Sequence, residues 1–504
     1  MNGWRMAWGA ARAYGRASRT VSESAQAAYE RHSAESLPRR VRARGYLAPG
    51  DPPPPPGTDL LDYSGLASAR ELGASALRPD GVTIAAALDL AAGNPLGAYR
   101  LPLERFFQHV AVVAPPGKGK TYGVIAPLAV RLLRAGATVV VLDVTGDIVH
   151  AIRDFASASP GSTTVPFFHW STDSARGRHS WNPLAGLGPD DLIAVEGLKT
   201  SILGEEPADP RHRFFFDREL RILGALIRLL IAEAADPTLE DLLTLTVHRD
   251  VIRTRLARPR HASLRLELQD YLSADDASAA QMISELQTRL APFMAPQVRG
   301  RVEDSDFSLA DLLRRPSLLV VGAELYLRQR GEIASSLLVN RLTAELSTRY
   351  GASGGVPVAM LLDEAPVLAR RINLPSLLAT ARATRTGVVL AAQNVTQFGD
   401  ENERSNVFDA CDTMIILPGA SAASVTQFQA RLGRREVRRQ AVNRELGKSR
   451  GSVNVTGESV DVLGSREIME PPFGRFPAFL HSRSDGVGAV AIELDRLTVS
   501  ACDQ

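Results

Sequence analysis

Cysteines are scarce in this sequence, and long apolar runs are missing. Only two of the 504 residues are cysteines, Cys411 and Cys502, which give neither a metal-ligand spacing nor a disulfide framework. No apolar run reaches the roughly 18 residues that a transmembrane helix needs, so no membrane span is expected. The amino-terminal segment has neither the apolar core nor the cleavage site of a secretory signal. These absences favour a protein of the reducing cytosol.

A strong overall charge is also missing. The formal net charge is +2, which is no global signature of polyanion binding, so basic segments must be sought locally. Residues 1–50 are rich in Arg and Ala, and a helix over residues 4–18 would place Trp4 and Trp8 together beside a row of arginines. Such a helix could rest on an anionic membrane surface or on a partner helix, or the segment could be a solvated tail. The prolines at 52–56 then indicate a stiff spacer and a domain boundary.

The stretch from His109 to Ala126, HVAVVAPPGKGKTYGVIA, has the pattern of a strand, a loop and a helix. Its loop nearly matches the phosphate-binding pattern G-x-x-x-x-G-K-[ST], with Ala114 at the first glycine. Glycines let backbone N–H groups close on a polyphosphate, and the helix N-terminus favours negative charge. Lys120 would reach the β- and γ-phosphates of ATP, and the Thr121 hydroxyl would hold Mg²⁺. The alternative is a plain strand-to-helix turn. The predicted nucleotide-binding residues are Pro116, Gly117, Lys118, Gly119, Lys120 and Thr121.

Two later apolar runs end in polar residues that suit phosphoryl transfer. The run VPVAMLLDE ends in Asp363 and Glu364. In a P-loop nucleotidase the first acid holds Mg²⁺, directly or through water, and the second polarises the attacking water. The run GVVLAAQ ends in Gln393, which can sense the γ-phosphate or position water. Either end could be an ordinary strand terminus, but together with the phosphate loop they form a specific combination.

Two further residues have alternative roles. Asp143 ends the apolar run 138–143, and its carboxylate could contact the metal shell through water or cap the next helix. Arg382 lies shortly before the strand that ends in Gln393. In ring ATPases an arginine of the neighbouring subunit completes the charge clamp on the transition state, and Arg382 is the candidate for that role. The alternative is a surface ion pair.

The apolar runs also predict the fold. Runs such as 138–143 and 387–392 are typical of strands buried on both faces of a parallel sheet, whereas residues 188–312 have helical patterns without a strand. We therefore predict an α/β protein with a RecA-like P-loop core, a mostly parallel central sheet and an inserted all-α domain. The predicted divisions are 1–57 for the tail and polyproline linker, 58–187 for the first part of the ATPase core, 188–312 for the all-α insertion, and 313–504 for the second part of the core.

The carboxyl-terminal region adds three predictions. Residues 433–450 are strongly basic and could follow a phosphate backbone or form a solvated hairpin. Residues 451–457, GSVNVTG, have the composition of a flexible stretch. Residues 488–494 have the pattern of a last strand at the edge of a sheet.

In order and spacing, these features resemble the type IV coupling proteins, the TraG/TraD-type ATPases of conjugative DNA transfer, within the wider FtsK/HerA group of P-loop motors. The resemblance covers about residues 95–495. It is carried by the stretches APPGKGKT, VLDVTGDI, WNPL, SLLVVGAELYL, VAMLLDEAPVL, LPSLLATARATRTGVVLAAQN and CDTMIILPG. At the matching positions it implies phosphate and Mg²⁺ contacts for Lys120 and Thr121, the Mg²⁺ aspartate at Asp363, the catalytic glutamate at Glu364, the glutamine sensor at Gln393, and the family's arginine at Arg382.

The resemblance further implies an ATP- and Mg²⁺-dependent homo-hexameric ring. Such a ring would deliver DNA, single-stranded or relaxase-bound, to a type IV secretion channel, so a relaxase and channel proteins would be its partners. Family members usually have N-terminal transmembrane helices and a lysine where this sequence has Thr145. Because no such helix is expected here, a separate membrane protein or the Trp/Arg tail would supply an anchor. The protein would then be cytoplasmic, with peripheral contact at the inner face of the membrane.

Two alternative functions remain at the level of sequence. One is an FtsK/HerA-like DNA pump in chromosome handling or defence. The other is a nucleotide-gated adaptor that docks substrates without pumping DNA.

Overall fold

The computed structural model describes residues 81–494 with short gaps, at 91–93, 147, 150–151, 153–164, 208, 324, 352–353, 444–451 and 472–475, together with residues 46–47, 61–62, 66–67 and 72. The tail helix and the proline spacer expected from the sequence lie outside these residues. The chain divides into two compact units, which we call the terminal unit and the core unit. The terminal unit comprises Met1–Pro79, Ile84–Arg100 and Ile416–Leu494, and the core unit comprises Asp80–Thr83, Leu101–Ile415 and Asp495–Gln504.

The strands and helices of both units are numbered along the chain. The strands are β1 Tyr46–Leu47, β2 Leu61–Asp62, β3 Val82–Asp89, β4 Asn94–Leu101, β5 Val110–Val113, β6 Thr138–Asp143, β7 Phe167–Ser171, β8 Leu318–Gly322, β9 Val358–Leu362, β10 Thr386–Ala392, β11 Thr413–Ile416, β12 Arg434–Asn443, β13 Ser452–Asp461, β14 Pro477–Ser482 and β15 Val490–Glu493. The helices are α1 Leu103–Phe106, α2 Ala126–Arg134, α3 Leu192–Leu203, α4 Pro210–Glu233, α5 Leu239–Val247, α6 Arg249–Leu256, α7 Ala262–Glu267, α8 Gln269–Ser273, α9 Asp276–Met282, α10 Ser284–Leu290, α11 Pro296–Arg299, α12 Leu309–Leu312, α13 Gln329–Ser347, α14 Pro366–Ala369, α15 Leu374–Ala381, α16 Glu401–Ala410, α17 Ala422–Leu432 and α18 Ser465–Met469.

The sheet of the core unit is built from the apolar runs. Its strand order is β11-β5-β10-β9-β6-β8-β7, and β5, β10, β9, β6, β8 and β7 pair in parallel along this order. Every residue of β6, β8, β9 and β10 is buried. Strands of a parallel sheet are covered on both faces, which is why these runs do not alternate with polar residues. The predicted α/β fold with a mostly parallel sheet is therefore confirmed.

The register brings several strand ends to one edge of this sheet. Ala392 of β10 pairs with Val113 of β5, and Leu390 of β10 pairs with Leu362 of β9. The segments that follow β5, β9 and β10 therefore leave the sheet side by side. This carboxyl edge is where open α/β sheets bind ligands.

Between β7 and β8 the core unit is helical. Helices α3 to α12 occupy this part of the chain, and no strand interrupts them among residues 188–312, of which only residue 208 is not described. Local signals set the helix starts: the Asp209 side chain accepts a hydrogen bond from the Arg211 N–H before α4, and Thr238 and Asp241 form a capping box at α5. The expected helix at 213–235 is observed as α4. The boundaries at 188 and 312 stay a prediction, since this segment groups with the core unit.

The terminal unit corrects two expectations. Its strands lie in the order β4-β3-β15-β14, with β15 antiparallel to both of its neighbours, β3 and β14. The prediction of β15 as an edge strand is wrong, because both of its sides are paired. The expectation of a flexible stretch at 451–457 is also wrong, because β13 pairs with β12 in an antiparallel ladder from Ser452 to Asp461. No helix in the described part of the chain is both long and apolar enough to span a membrane.

Candidate nucleotide-binding site

The loop after β5 has the backbone that a phosphate-binding loop requires. Gly117 and Gly119 have φ angles of +73° and +90°, which side chains with a Cβ rarely adopt. Ala114 is not among the described residues with a positive φ; it is buried and donates its N–H to the Ala392 carbonyl at 3.1 Å. The usual first glycine is thus not required by the backbone at this position. After Lys120 the helix opens with a π-helical turn, Thr121–Ile125, and continues as α2.

Lys120 joins the loop to the end of β9. Its Nζ donates to the Asp363 carbonyl oxygen at 2.6 Å and to Glu364 Oε2 at 2.7 Å, and it lies 3.9 Å from Asp363 Oδ1. The lysine thereby offsets two carboxylates that are both buried. Without it, these charges would stand uncompensated in a site of low dielectric.

Thr121 and Asp363 form the pair that suits Mg²⁺. Thr121 Oγ1 lies 3.0 Å from Asp363 Oδ1 and 2.9 Å from Oδ2. Burial raises the pKa of Asp363 to about 6, helped by the charges of Asp143 and Glu364 and opposed by Lys120 and Thr121. No cluster of three or more His, Cys, Asp or Glu suited to a metal occurs among the described residues. One hydroxyl and one carboxylate nevertheless fit Mg²⁺, which takes few protein ligands when phosphates and water complete its shell.

Glu364 has one engaged oxygen and one without a partner. Its Oε2 accepts from Lys120 and from Gln393 Nε2, the latter at 3.4 Å. Its Oε1 is buried and has no hydrogen-bond partner. A buried acceptor left unpaired is costly unless a ligand or a water uses it. The arrangement suits a base that orients an attacking water, with Gln393 beside it at the end of β10.

For Asp143 the structure favours the capping alternative. Its carboxylate accepts four hydrogen bonds from the turn after β6: from the N–H and Oγ1 of Thr145, both at 3.2 Å, from the Gly146 N–H at 2.8 Å, and from the Val149 N–H at 3.2 Å. Burial raises the pKa of Asp143, against these hydrogen bonds. Thr145 stands where the type IV coupling proteins usually have a lysine, and its hydroxyl supports this turn.

The fold of a single chain does not place Arg382 near this site. It lies in the 3₁₀ turn Arg382–Thr384 before β10, whereas Gln393 follows the other end of that strand. Seven residues of strand separate the two, a length of about 20 Å. The Arg382 side chain is exposed and forms no hydrogen bond or ion pair with the described residues.

Sequence reasoning missed the role of His109. This residue has a φ of +64° and is buried. The Val388 N–H donates to its Nδ1 at 3.2 Å, so its Nε2–H donates to the Leu378 carbonyl at 2.7 Å. Burial lowers its pKa, as does the charge of Arg382, against the hydrogen bond to Leu378. A neutral His109 thus fixes α15 and β10 to the start of the phosphate-loop strand. A polar residue directly before a buried run was the only signal in the sequence.

The parallel sheet, the glycine loop and the Lys–Thr–Asp–Glu constellation at its carboxyl edge define the class of P-loop nucleotidases. Within that class, the chain belongs to the family described as type IV secretory system conjugative DNA transfer, whose family model matches residues 66–461. The resemblance to this family drawn from the sequence is therefore confirmed.

Solved structures show the same fold. The bacterial conjugative coupling protein TrwBΔN70 in its unbound monoclinic form is 16% identical over 83% of this chain and 90% of that chain, with a TM-score of 0.61. Its trigonal form with sulphate is 15% identical over 85% and 93%, also at 0.61. TrwB in complex with ADP and Mg²⁺ is 16% identical over 83% and 90%, at 0.59. At this identity the similarity establishes the RecA-like architecture. No curated protein sequence matches the chain.

Proposed function

We propose that this chain hydrolyses ATP with Mg²⁺ at the carboxyl edge of its sheet and uses the energy to move DNA, single-stranded or relaxase-bound, towards a type IV secretion channel. Membership in the conjugative DNA-transfer family indicates the process in which the chain acts. The observation that carries the proposal is the convergence of side chains from three separate segments. These are Lys120 and Thr121 after β5, Asp363 and Glu364 after β9, and Gln393 after β10.

Each residue has a defined task in the proposed reaction. Bound ATP and Mg²⁺ would supply the γ-phosphoryl group and the neutralising cation. The backbone N–H groups of residues 117–121 would hold phosphate oxygens. Lys120 would leave its carboxylate partners and bind these phosphate oxygens. Thr121 Oγ1 and Asp363 would hold the metal. Glu364, released from Lys120, would accept a hydrogen bond from the attacking water, and Gln393 would orient that water.

The position of Arg382 supports assembly into a ring. An arginine exposed at the opposite edge of its own sheet is too far from its own nucleotide site to act there, so any action on a nucleotide would be at the site of another copy. We therefore propose a homo-hexamer in which Arg382 of one subunit stabilises the transition-state charge in the next. A relaxase and the proteins of the secretion channel would be its partners.

The proposed location is the cytoplasm, with peripheral contact at the inner face of the cell membrane. The Trp and Arg residues of segment 1–50 support such contact, because amphipathic basic segments bind anionic lipid surfaces. A separate membrane protein would be the other means of attachment.

The test of hydrolysis is steady-state ATPase activity with and without single- and double-stranded DNA. The wild-type chain should be stimulated by DNA. Glu364→Gln removes the base while keeping the shape of the side chain, so kcat should fall by about 10²-fold or more. Glu401→Gln, at an exposed glutamate of α16, is the matched control and should retain wild-type activity.

Two outcomes would contradict the proposal. Hydrolysis that ignores DNA would favour the nucleotide-gated adaptor. Activity that survives Glu364→Gln would remove the catalytic assignment at the end of β9.

A further inference from the structure

The first half of α4 presents an unusual stripe to solvent. Arg211, Phe214, Phe215 and Arg218 follow the spacing i, i+3, i+4, i+7, which places them on one helix face. The two phenylalanines are 65% and 48% exposed, and large aromatic side chains exposed side by side indicate an interaction site. Arg221, also exposed, extends the face by another turn. We call these five residues the α4 stripe.

The α4 stripe is not part of the surface with which α4 packs into the core. The second half of α4 is buried almost throughout, from Ile222 to Ile231. Glu219 lies at the boundary between the halves, where its carboxylate accepts the Leu286 N–H at 2.7 Å and fixes α4 to α10. The first half of α4 therefore keeps Arg211, Phe214, Phe215 and Arg221 exposed, with Arg218 half-buried, while the helix is fixed elsewhere.

The charges of the stripe are largely unmatched. The Arg218 guanidinium lies 5.7 Å and 5.2 Å from the ring centroids of Phe214 and Phe215, and the two rings meet edge to face at 5.6 Å. None of Arg211, Arg218 and Arg221 forms an ion pair with a described residue, whereas neighbouring Arg213 is paired with Glu206. The exposed acids of this half-helix are Asp209, which caps it, and Asp217.

We propose that the α4 stripe binds single-stranded DNA, with bases stacked on Phe214 and Phe215 and phosphates on the flanking arginines. Aromatic rings beside unpaired arginines are the combination with which proteins bind single strands, since every base has a π face and every nucleotide a phosphate. From Arg211 to Arg221 the stripe is about 15 Å long, enough for more than one nucleotide. The inference rests on the proposed function, because DNA is the substrate that the core would move.

The test is binding of fluorescein-labelled oligo(dT) to the full chain without nucleotide, followed by fluorescence anisotropy. The double variant Phe214→Ala/Phe215→Ala should weaken binding by about tenfold or more. Phe214→Tyr/Phe215→Tyr keeps the π faces and should bind within about twofold of wild type. Leu266→Ala, at a side chain of α7 that is 73% exposed, is the matched control and should change nothing. All these side chains are exposed, so the variants should unfold at the wild-type temperature.

Two further readouts separate stacking from general charge. The affinity for a duplex of equal length should stay within about twofold in the Phe double variant, because paired bases offer no free face. In Arg211→Gln/Arg221→Gln the slope of log K against log salt for oligo(dT) should become shallower by about 1.4, since each phosphate contact on a single strand contributes about 0.7.

Several results would overturn the inference. They are no binding of oligo(dT) by the wild-type chain, unchanged binding by the Phe double variant, or an equal loss for duplex and single strand. Loss of self-association with unchanged oligo(dT) binding would assign the stripe to an interface between copies instead. The proposed function fails separately: Glu364→Gln should bind oligo(dT) like wild type, and an ATPase indifferent to DNA would refute the motor without altering this binding measurement.

Discussion

At the scale of single residues, the site is held together by Lys120. Its ammonium group bridges the Asp363 backbone carbonyl and the Glu364 carboxylate, so the lysine and the two acids to which we assign phosphoryl transfer lie next to one another. In the proposed reaction Lys120 would leave these partners for the phosphates, and the two acids would already stand where they act. The unpartnered Glu364 Oε1 is then the acceptor at which water can be oriented.

A second buried carboxyl, Glu219, makes stability depend on pH. Burial raises its pKa from 4.5 to about 7, so the folded state binds this proton more tightly than the unfolded state. Its stabilising contribution is full below pH 4.5 and is lost as the pH rises to 7. Glu219→Gln, which keeps an acceptor for the Leu286 N–H, should be more stable than wild type at pH 8 by on the order of 2 kcal/mol and about equal to it at pH 4.5.

Urea unfolding at both pH values measures this difference. Asp270→Asn, at an exposed carboxylate of α8, should show no pH-dependent gain. A constant difference between wild type and Glu219→Gln at pH 4.5 and pH 8 would contradict the assignment.

The site could be predicted to the extent that its signals are local in the chain. The phosphate loop fixes Lys120 and Thr121 by spacing within one turn, and Asp363 and Glu364 stand at the visible end of an apolar run. The role of His109 could not be predicted, because its partners Leu378 and Val388 are 269 and 279 residues away. Asp143 had two compatible roles, and only the geometry of the turn after it separates them.

At the scale of elements, β10 packs closely against the residues before β5. A Cβ built on Gly387 would lie 2.5 Å from the Phe106 carbonyl oxygen. Because both segments meet through their backbones, neither can move aside as a flexible side chain could. Gly387→Ala should therefore destabilise the fold by about 1–3 kcal/mol, the usual cost of overpacking. Urea unfolding measures this loss. The matched control is Gly300→Ala, where nothing lies within 4 Å; if both variants unfold alike, the close packing of β10 is disproved.

The elements themselves were predictable where they are buried on both faces. Within β6, residues 139–142 are all apolar, so no polar residue obscures the pattern, and the run is a strand as expected. The predictions about sheet edges and flexibility failed in the terminal unit. The neighbours of β15 come from residues 82–89 and 477–482, and the polar composition of β13 is outweighed by its pairing with β12. Pairing partners distant in the chain leave no mark in the local sequence.

At the scale of the whole molecule, Arg382 decides whether hydrolysis needs neighbouring copies. Arg382→Ala alone should lose about 10³-fold in kcat or more, as expected for an arginine that stabilises the transition state from another subunit. Mixing it with Glu364→Gln should restore activity. A site with an intact Glu364 then meets an intact Arg382 of its neighbour at roughly a quarter of the interfaces of a randomly mixed ring.

The control for this complementation is a mixture of Arg382→Ala with the double variant Arg382→Ala/Glu364→Gln, which offers no intact arginine and should stay inactive. If the first mixture is as inactive as its components, Arg382 does not act in trans.

We expect ATP hydrolysis at the end of β9 to drive movement along DNA. The most direct measurement is displacement of streptavidin from the end of a biotinylated oligonucleotide, single- or double-stranded, by the full chain. We predict displacement by the wild type with ATP, none with a non-hydrolysable analogue, and none by Glu364→Gln, although that variant should still bind the oligonucleotide. Hydrolysis by the wild type without displacement of streptavidin from either substrate would contradict the account and leave a docking adaptor in its place.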